Sequence, residues 1–247
     1  MIRVTVWNEF FHEQHDETTK KVYPEGIHKA IAAFLGKEED ITVKTVVLDD
    51  ENCGITEELL NETDVLLWWG HVRHNDVPDS VVDLVQHAVL KGMGIIFLHS
   101  GHHSKPFRRL MGTTANLCWR ETNDLERVWV VKPYHPIAQG LPRYFDLNGE
   151  ETYGEPFDIP EPDELVFIGW FSGGEVFRAG CCYRRGNGKI FYFQPGHETF
   201  PTYYNENVQT VLKNAVRWAK PDVRVSSLTA PHVRKIDDMK DGEDYVR

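Results

Sequence analysis

Apolar residues fall in short blocks along this chain, and the blocks switch between a two-residue and a 3.6-residue period. Residues 2–7 alternate with β-branched side chains and predict a first strand. Ile27, Ile31, Phe34 and Leu35 mark one face of a helix, with Pro24 in its first turn and Gly36 at its end. A second strand follows over residues 41–48, then a short helix over 56–60 capped by Thr56, then a third strand over 64–69. Val81, Val85, Ala88 and Val89 share a helical face that Asp79 or Ser80 caps and Gly92 follows. Residues 94–98 are a glycine and four large apolar residues, the signature of a short strand buried on both faces. This alternation predicts an α/β fold whose parallel sheet is joined by right-handed crossovers.

The second half has a different pattern. Residues 127–131 and 164–170 read as strands, with a Pro/Gly-rich stretch over 132–163 between them. Residues 175–183 pair with 189–193 through a glycine-containing hairpin turn at 184–188. A final helix over 205–219 turns Val208, Val211, Leu212, Ala215 and Trp218 inward. The expected sheet is therefore mainly parallel, with an antiparallel addition over 127–193. Residues 1–220 are expected to form one domain, and residues 221–247 a polar C-terminal arm.

Composition narrows the function classes. The formal net charge of −11 argues against nucleic acid as a partner, because phosphate binding needs a basic surface. No apolar run approaches the ~20 residues that span a bilayer, and no basic-plus-apolar leader precedes the first strand, so neither a membrane partner nor a signal peptide is expected. Cys53, Cys118, Cys181 and Cys182 show no disulfide or zinc-ribbon spacing and read as reduced thiols of a cytoplasmic protein.

The chemistry gathers at strand ends. Asn8-Glu9, His71, His99 and His197-Glu198 each end or closely follow a predicted strand. In an open parallel sheet all would lie along the carboxyl edge, where such folds bind ligands. A lone histidine at a strand end is usually a hydrogen-bonding surface or core residue; three on one sheet edge point to a site. The break at His99-Ser100-Gly101, with a helix from about Lys105, has the geometry of a nucleophile elbow that lifts His99 into a cleft.

The motifs Trp7-Asn8-Glu9, Trp69-Gly70-His71, Gly94 to Gly101 with histidine at the elbow, His135-Pro136-Ile137 leading to Gly140-Leu141, Glu151-Thr152-Tyr153-Gly154, and Phe193 to Glu198 together resemble the trehalose-utilization ThuA-like family. That family is a branch of the class I glutamine-amidotransferase-like superfold. The resemblance extends to about Trp218 and implies a flavodoxin-like three-layer sandwich. It also implies a role in breaking down trehalose or a related disaccharide, including oxidised 3-keto forms. Amidotransferases carry cysteine at the elbow position held here by His99, and pair it with a histidine in a His-x-Glu arrangement after a late strand. Gln194-Pro195-Gly196-His197-Glu198 keeps that histidine, but without the thiolate glutamine hydrolysis is not expected. Ser100 is a substitute nucleophile in the wrong register, because Leu98 stands where G-x-S-x-G needs its first glycine.

Two readings of the cluster remain. In one, His71, His99 and His197 ligate a divalent metal, zinc or manganese, with Glu9 or Glu198 as fourth ligand or base. In the other, His99, His197, Glu198 and Glu9 act directly as acids and bases. Asn8, Trp69, His102, His103, Trp119, Glu151 and Tyr153 are candidates for holding a small-molecule sugar, the aromatic rings by stacking. No nucleotide cofactor is expected. Self-association into a homo-oligomer stays open, as does a non-catalytic sugar-binding or sensory module on the same fold.

Overall fold

Three strands are apolar at every position but one, Lys189, and burial on both faces follows. Val65–Trp69 (β3) and Gly94–Leu98 (β4) are buried at every position, as is Gly188–Phe193 (β9). They sit inside a nine-stranded sheet that also contains Ile2–Asn8 (β1), Ile41–Val47 (β2), Cys118–Val130 (β5), Tyr144–Gly154 (β6), Glu164–Phe171 (β7) and Val176–Arg185 (β8). The structure, a computed structural model, describes residues 1–229.

The strand order is β2-β1-β3-β4-β9-β8-β7-β5-β6. The first five run parallel, and β8, β7, β5 and β6 continue the sheet antiparallel from β9. From β1 the chain crosses to β2 on one side, through the helix Ile27–Leu35 (α3). From β3 it crosses to β4 on the other, through Asp79–Lys91 (α5). Right-handed crossovers in opposite directions place these helices on opposite faces and open a crevice between the carboxyl ends of β1 and β3. The last helix, Glu206–Ala219 (α7), packs beside α3, whereas Glu57–Glu62 (α4) and Lys105–Met111 (α6) flank α5. The result is the flavodoxin-like three-layer α/β sandwich with an antiparallel addition.

Several local expectations need correction. Pro24 precedes α3 in a turn, and the helix starts only at Ile27 behind Gly26, whose φ of +95° an L side chain would resist. Neither Asp79 nor Ser80 caps α5; Pro78 does, without a side-chain hydrogen bond. The antiparallel addition starts at Cys118 rather than at residue 127, and the Pro/Gly-rich stretch contains the eleven-residue strand β6. Charged and polar residues hide both from a hydrophobicity pattern, and the β5–β6 register shifts twice between Arg120 and Glu126. Two short helices, His12–His15 (α1) and Glu17–Val22 (α2), occupy the β1–α3 connection. They are too short for helical periodicity, although Asp16 caps the second by accepting from Thr19 N–H.

Residues 221–229, which lie within the expected arm, run along the domain. Val225 N–H donates to Lys91 C=O, and the buried Lys189 ammonium donates to Trp218 C=O and to Asp222. The rest of the expected arm lies outside the described residues. All four cysteines are free. No helix among the described residues is long and apolar enough to cross a membrane.

A close backbone approach fixes α7 on the sheet. A Cβ added at Gly94 would lie 2.2 Å from the Ala219 carbonyl oxygen, so Gly94→Ala should force the helix off β4. Overpacking of this kind costs about 1–3 kcal/mol. The urea midpoint of Gly94→Ala should fall accordingly, and an unchanged midpoint would contradict the packing described.

Candidate functional site

The parallel register decides which side chains meet. Leu98 of β4 pairs with Phe193 of β9, and Trp69 of β3 pairs with Leu98, so three strands end side by side. The residues just beyond them, His71, His99 and the 194–198 loop, are delivered to one edge. His99 takes a φ of +49°, a left-handed conformation uncommon for a residue with a side chain. It is fully buried in the floor of the site. Its Nδ1 donates to the Gln194 carbonyl oxygen at 2.9 Å, since that oxygen can only accept. Nε2 is thereby left with its lone pair, 3.0 Å from a Glu151 carboxylate oxygen and 3.4 Å from the Tyr153 hydroxyl. Tyr153 stacks on the His99 ring at 5.1 Å.

His71 and His197 stand around this floor, their ring centroids 5.9 and 5.3 Å from His99 and 5.4 Å from one another. The Glu198 carboxylate lies 3.0 Å from His71 Nδ1. Burial alone would lower the pKa of His71, but the Glu198 hydrogen bond and the charges of Glu198, Glu151 and Glu9 outweigh it and hold it above the usual value. Burial likewise opposes the ionised Glu198, yet His71, His197 and His12 keep that carboxyl well below the ordinary range. Burial is the main cause that pushes His197 down to about 4. Burial opposes the ionised Glu151 too, yet the imidazoles of His99, His197 and His71 around it hold its carboxyl below the usual value.

One ligand atom from each of His71, His99, His197 and Glu151 lies within 4.8 Å of the others. The Glu151 Oε2 atom is buried without a hydrogen-bond partner. Three imidazoles and a carboxylate converging with an unsatisfied oxygen form a donor set able to hold a divalent metal ion such as zinc or manganese. The fourth group is thus Glu151, expected from the sequence to touch sugar, rather than Glu9 or Glu198.

His71, His197 and Glu151 of this cluster line a cleft of about 620 Å³, whereas His99 lies buried behind them rather than lifted into the cleft as expected of the elbow. The cleft lining also includes Ser100, His102, His103, Trp119, Tyr153 and Glu198. Trp119 stands at the mouth, 65% exposed, a position available for stacking on a ligand. His102 is buried with Nδ1 donating to Ala115 C=O, and burial puts its pKa well below the usual value. The more exposed His103 reaches toward Asn116. The Ser100 hydroxyl is engaged as a donor to Gly70 C=O at 2.7 Å.

Three expected residues serve the scaffold instead of lining the cleft. The two Glu9 oxygens accept the backbone N–H groups of His71, Val72 and Arg73 at 2.8–3.0 Å, which fixes the loop that carries His71. Asn8 donates to Glu13 and to His28 Nδ1 and accepts from Phe10 N–H, anchoring the turn after β1. Trp69 donates to Gly196 C=O and pins the loop before His197. Gly196 adopts φ +135° against the Tyr203 hydroxyl, and the buried Glu150 accepts both Gly196 and His197 N–H. Burial raises Glu150 to about 7. Among the cleft residues missed is His12, on α1, whose Nε2 lies 3.6 Å from Glu198. Only its place after a strand end could have pointed to it.

The site therefore defines a three-layer α/β protein with a histidine-rich, metal-competent cleft at the carboxyl edge of its parallel strands. The chain belongs to the ThuA family, described as trehalose utilisation, whose model matches residues 3–219. Among solved structures, a ThuA-like protein from Bacteroides uniformis ATCC 8492 superposes with a TM-score of 0.63 at 17% identity, over 88% of this chain and 90% of that one. A ThuA-like protein from Parabacteroides merdae ATCC 43184 gives 0.64 at 14%, over 91% and 92%. A cytoplasmic protein from Salmonella typhimurium LT2 gives 0.60 at 12%, over 89% and 100%. At these identities the likeness is one of fold. No curated protein matches the chain.

The Asn8–His28 anchor generates a pH test. Burial, then the charge of Lys29, lowers His28 from 6.5 to about 4. The unfolded chain then takes up a proton that the folded chain refuses, so the stabilisation is complete above 6.5 and is lost as pH falls toward 4. The stability margin of the wild type over His28→Gln should shrink between about pH 7.5 and about pH 5 in urea titrations. A constant margin would contradict a neutral His28.

Proposed function

We propose that the protein is a sugar-active enzyme of carbohydrate metabolism that works with a divalent ion, zinc or manganese, held by His71, His99, His197 and Glu151. The carrying observation is the convergence of those four ligand atoms within 4.8 Å on the floor of a cleft large enough for a small carbohydrate. The proposed substrate is a disaccharide of the trehalose type or its 3-keto derivative, in keeping with the family's description. The net charge of −11 favours such a small neutral ligand over nucleic acid. The similar Salmonella protein is described as cytoplasmic, and four free thiols suit the same compartment here.

Bound in this donor set, the ion supplies Lewis-acid polarisation of a sugar carbonyl or hydroxyl. The chain's own residues prepare for that role. Gln194 C=O keeps the proton of His99 on Nδ1, so that Nε2 offers a lone pair. Glu198 takes the Nδ1 side of His71 in the same way, leaving Nε2 as the available nitrogen. Trp119 offers a flat apolar face for a pyranose ring, and His102 and His103 present polar edges toward sugar hydroxyls. Glu198, ionised and buried beside two imidazoles, can accept a hydrogen bond from a substrate hydroxyl through Oε2, which has no partner of its own.

The metal-free acid–base alternative rests on one observation, the 3.0 Å contact of His71 with Glu198. A single experiment separates the two readings. Chelator-treated protein should take up zinc by calorimetry, and His99→Ala should weaken that uptake at least about 100-fold with an unchanged circular-dichroism spectrum. Turnover of trehalose, sucrose, maltose or their 3-keto forms should require the restored metal. Turnover that persists in the chelator-treated protein, with His71→Gln inactive, would establish the acid–base reading instead.

A further inference from the structure

The metal cluster does not account for the residues on its outer side. His12, on the short helix α1, joins His71 and Glu198 in a second group whose ligand atoms also lie within 4.8 Å of one another. Two buried atoms in this group lack any hydrogen-bond partner: His12 Nδ1 and Glu198 Oε2. The contact of His12 Nε2 with Glu198 Oε1, 3.6 Å, is too long for a hydrogen bond. Glu198 is 3% exposed, and its Oε2 points the other way, 3.7 Å from His197 Nε2. A buried carboxylate with one oxygen toward each cluster and one of those oxygens unsatisfied is an expensive arrangement in a dry protein. The rings of His12 and His71 are 5.0 Å apart, so the two clusters share a wall rather than merely neighbouring each other.

We infer that His12, His71 and Glu198 form a second divalent-cation site, adjoining the first through His71 and Glu198. The inference rests on the metal reading of the first cluster and adds to it a two-ion centre. Entry of the second ion displaces the proton that His71 Nδ1 now shares with Glu198 Oε1. That proton passes to solvent, and His71 then gives one ring nitrogen to each ion. Glu198 places negative charge between the two ions, with one oxygen toward His71 and His12 and the other toward His197. Sites with two ions clamp a reacting oxygen from both sides, which suits a substrate carrying adjacent hydroxyl or carbonyl groups. His12 is also the ligand most easily removed, because it lies on a short helix at the cleft and outside the hydrophobic core.

The test is stoichiometric and needs no substrate. Chelator-treated full-length protein is titrated with zinc chloride by calorimetry, and bound zinc is counted by elemental analysis after gel filtration. The wild type should hold two ions per chain, His12→Ala one, and His99→Ala one, each with an unaltered circular-dichroism spectrum. His12→Gln, which keeps the volume of the side chain, should also hold one and guards against a folding artefact. One ion in both wild type and His12→Ala overturns the second site and leaves the first intact. Two ions in both show that the second ion binds elsewhere and overturn it equally. No ion in the wild type overturns the second site together with the metal reading of the first.

Discussion

The hydrogen bond from His99 Nδ1 to the Gln194 carbonyl is the contact on which the site depends. It exists because β4 and β9 are parallel neighbours that end level with one another, at Leu98 and Phe193. It ties the elbow to the loop carrying His197 and Glu198, fixes the His99 tautomer, and aims Nε2 at Glu151. The left-handed backbone at His99 is held by this bond and by burial in the sheet's apolar centre. Glu9, Trp69 and Glu150 repeat the principle around it: each is buried and each is consumed in holding the backbone of a loop that presents an imidazole.

The parallel half of the fold was legible because β3 and β4 are buried on both faces and apolar throughout, while β1 and β2 are rich in β-branched residues. Given that sheet, His71, His99 and His197 had to share an edge, and they do. What escaped was the antiparallel half. β6 alternates Phe145 and Leu147 inward but continues as Asn148-Gly149-Glu150-Glu151, where two acidic side chains are buried for reasons that hydrophobicity does not encode. Glu151 was consequently legible as a polar group in the cleft and not as the partner of His99. Glu9 illustrates the converse: a carboxylate at a strand end looks like a ligand in sequence, and only the three amides of the following loop reveal its use.

On the proposed metal reading, the same cluster lets an amidotransferase-like scaffold serve without its thiol. Replacing the elbow nucleophile by His99 turns a position that attacks carbonyls into one that donates a lone pair. The histidine retained after the last strand, His197, then faces a fellow ligand candidate rather than a cysteine. The exposed Trp119 and the imidazole edges in the cleft are compatible with a carbohydrate above that floor.

The central claim is that this floor is a metal centre. It is tested most directly by diffraction from zinc-loaded crystals, with data collected on both sides of the zinc absorption edge. The anomalous-difference map should show a peak enclosed by His99 Nε2, His71, His197 and Glu151, at roughly 2.0–2.1 Å from the ring nitrogens. An empty floor in those crystals, with zinc elsewhere or nowhere, would contradict the account.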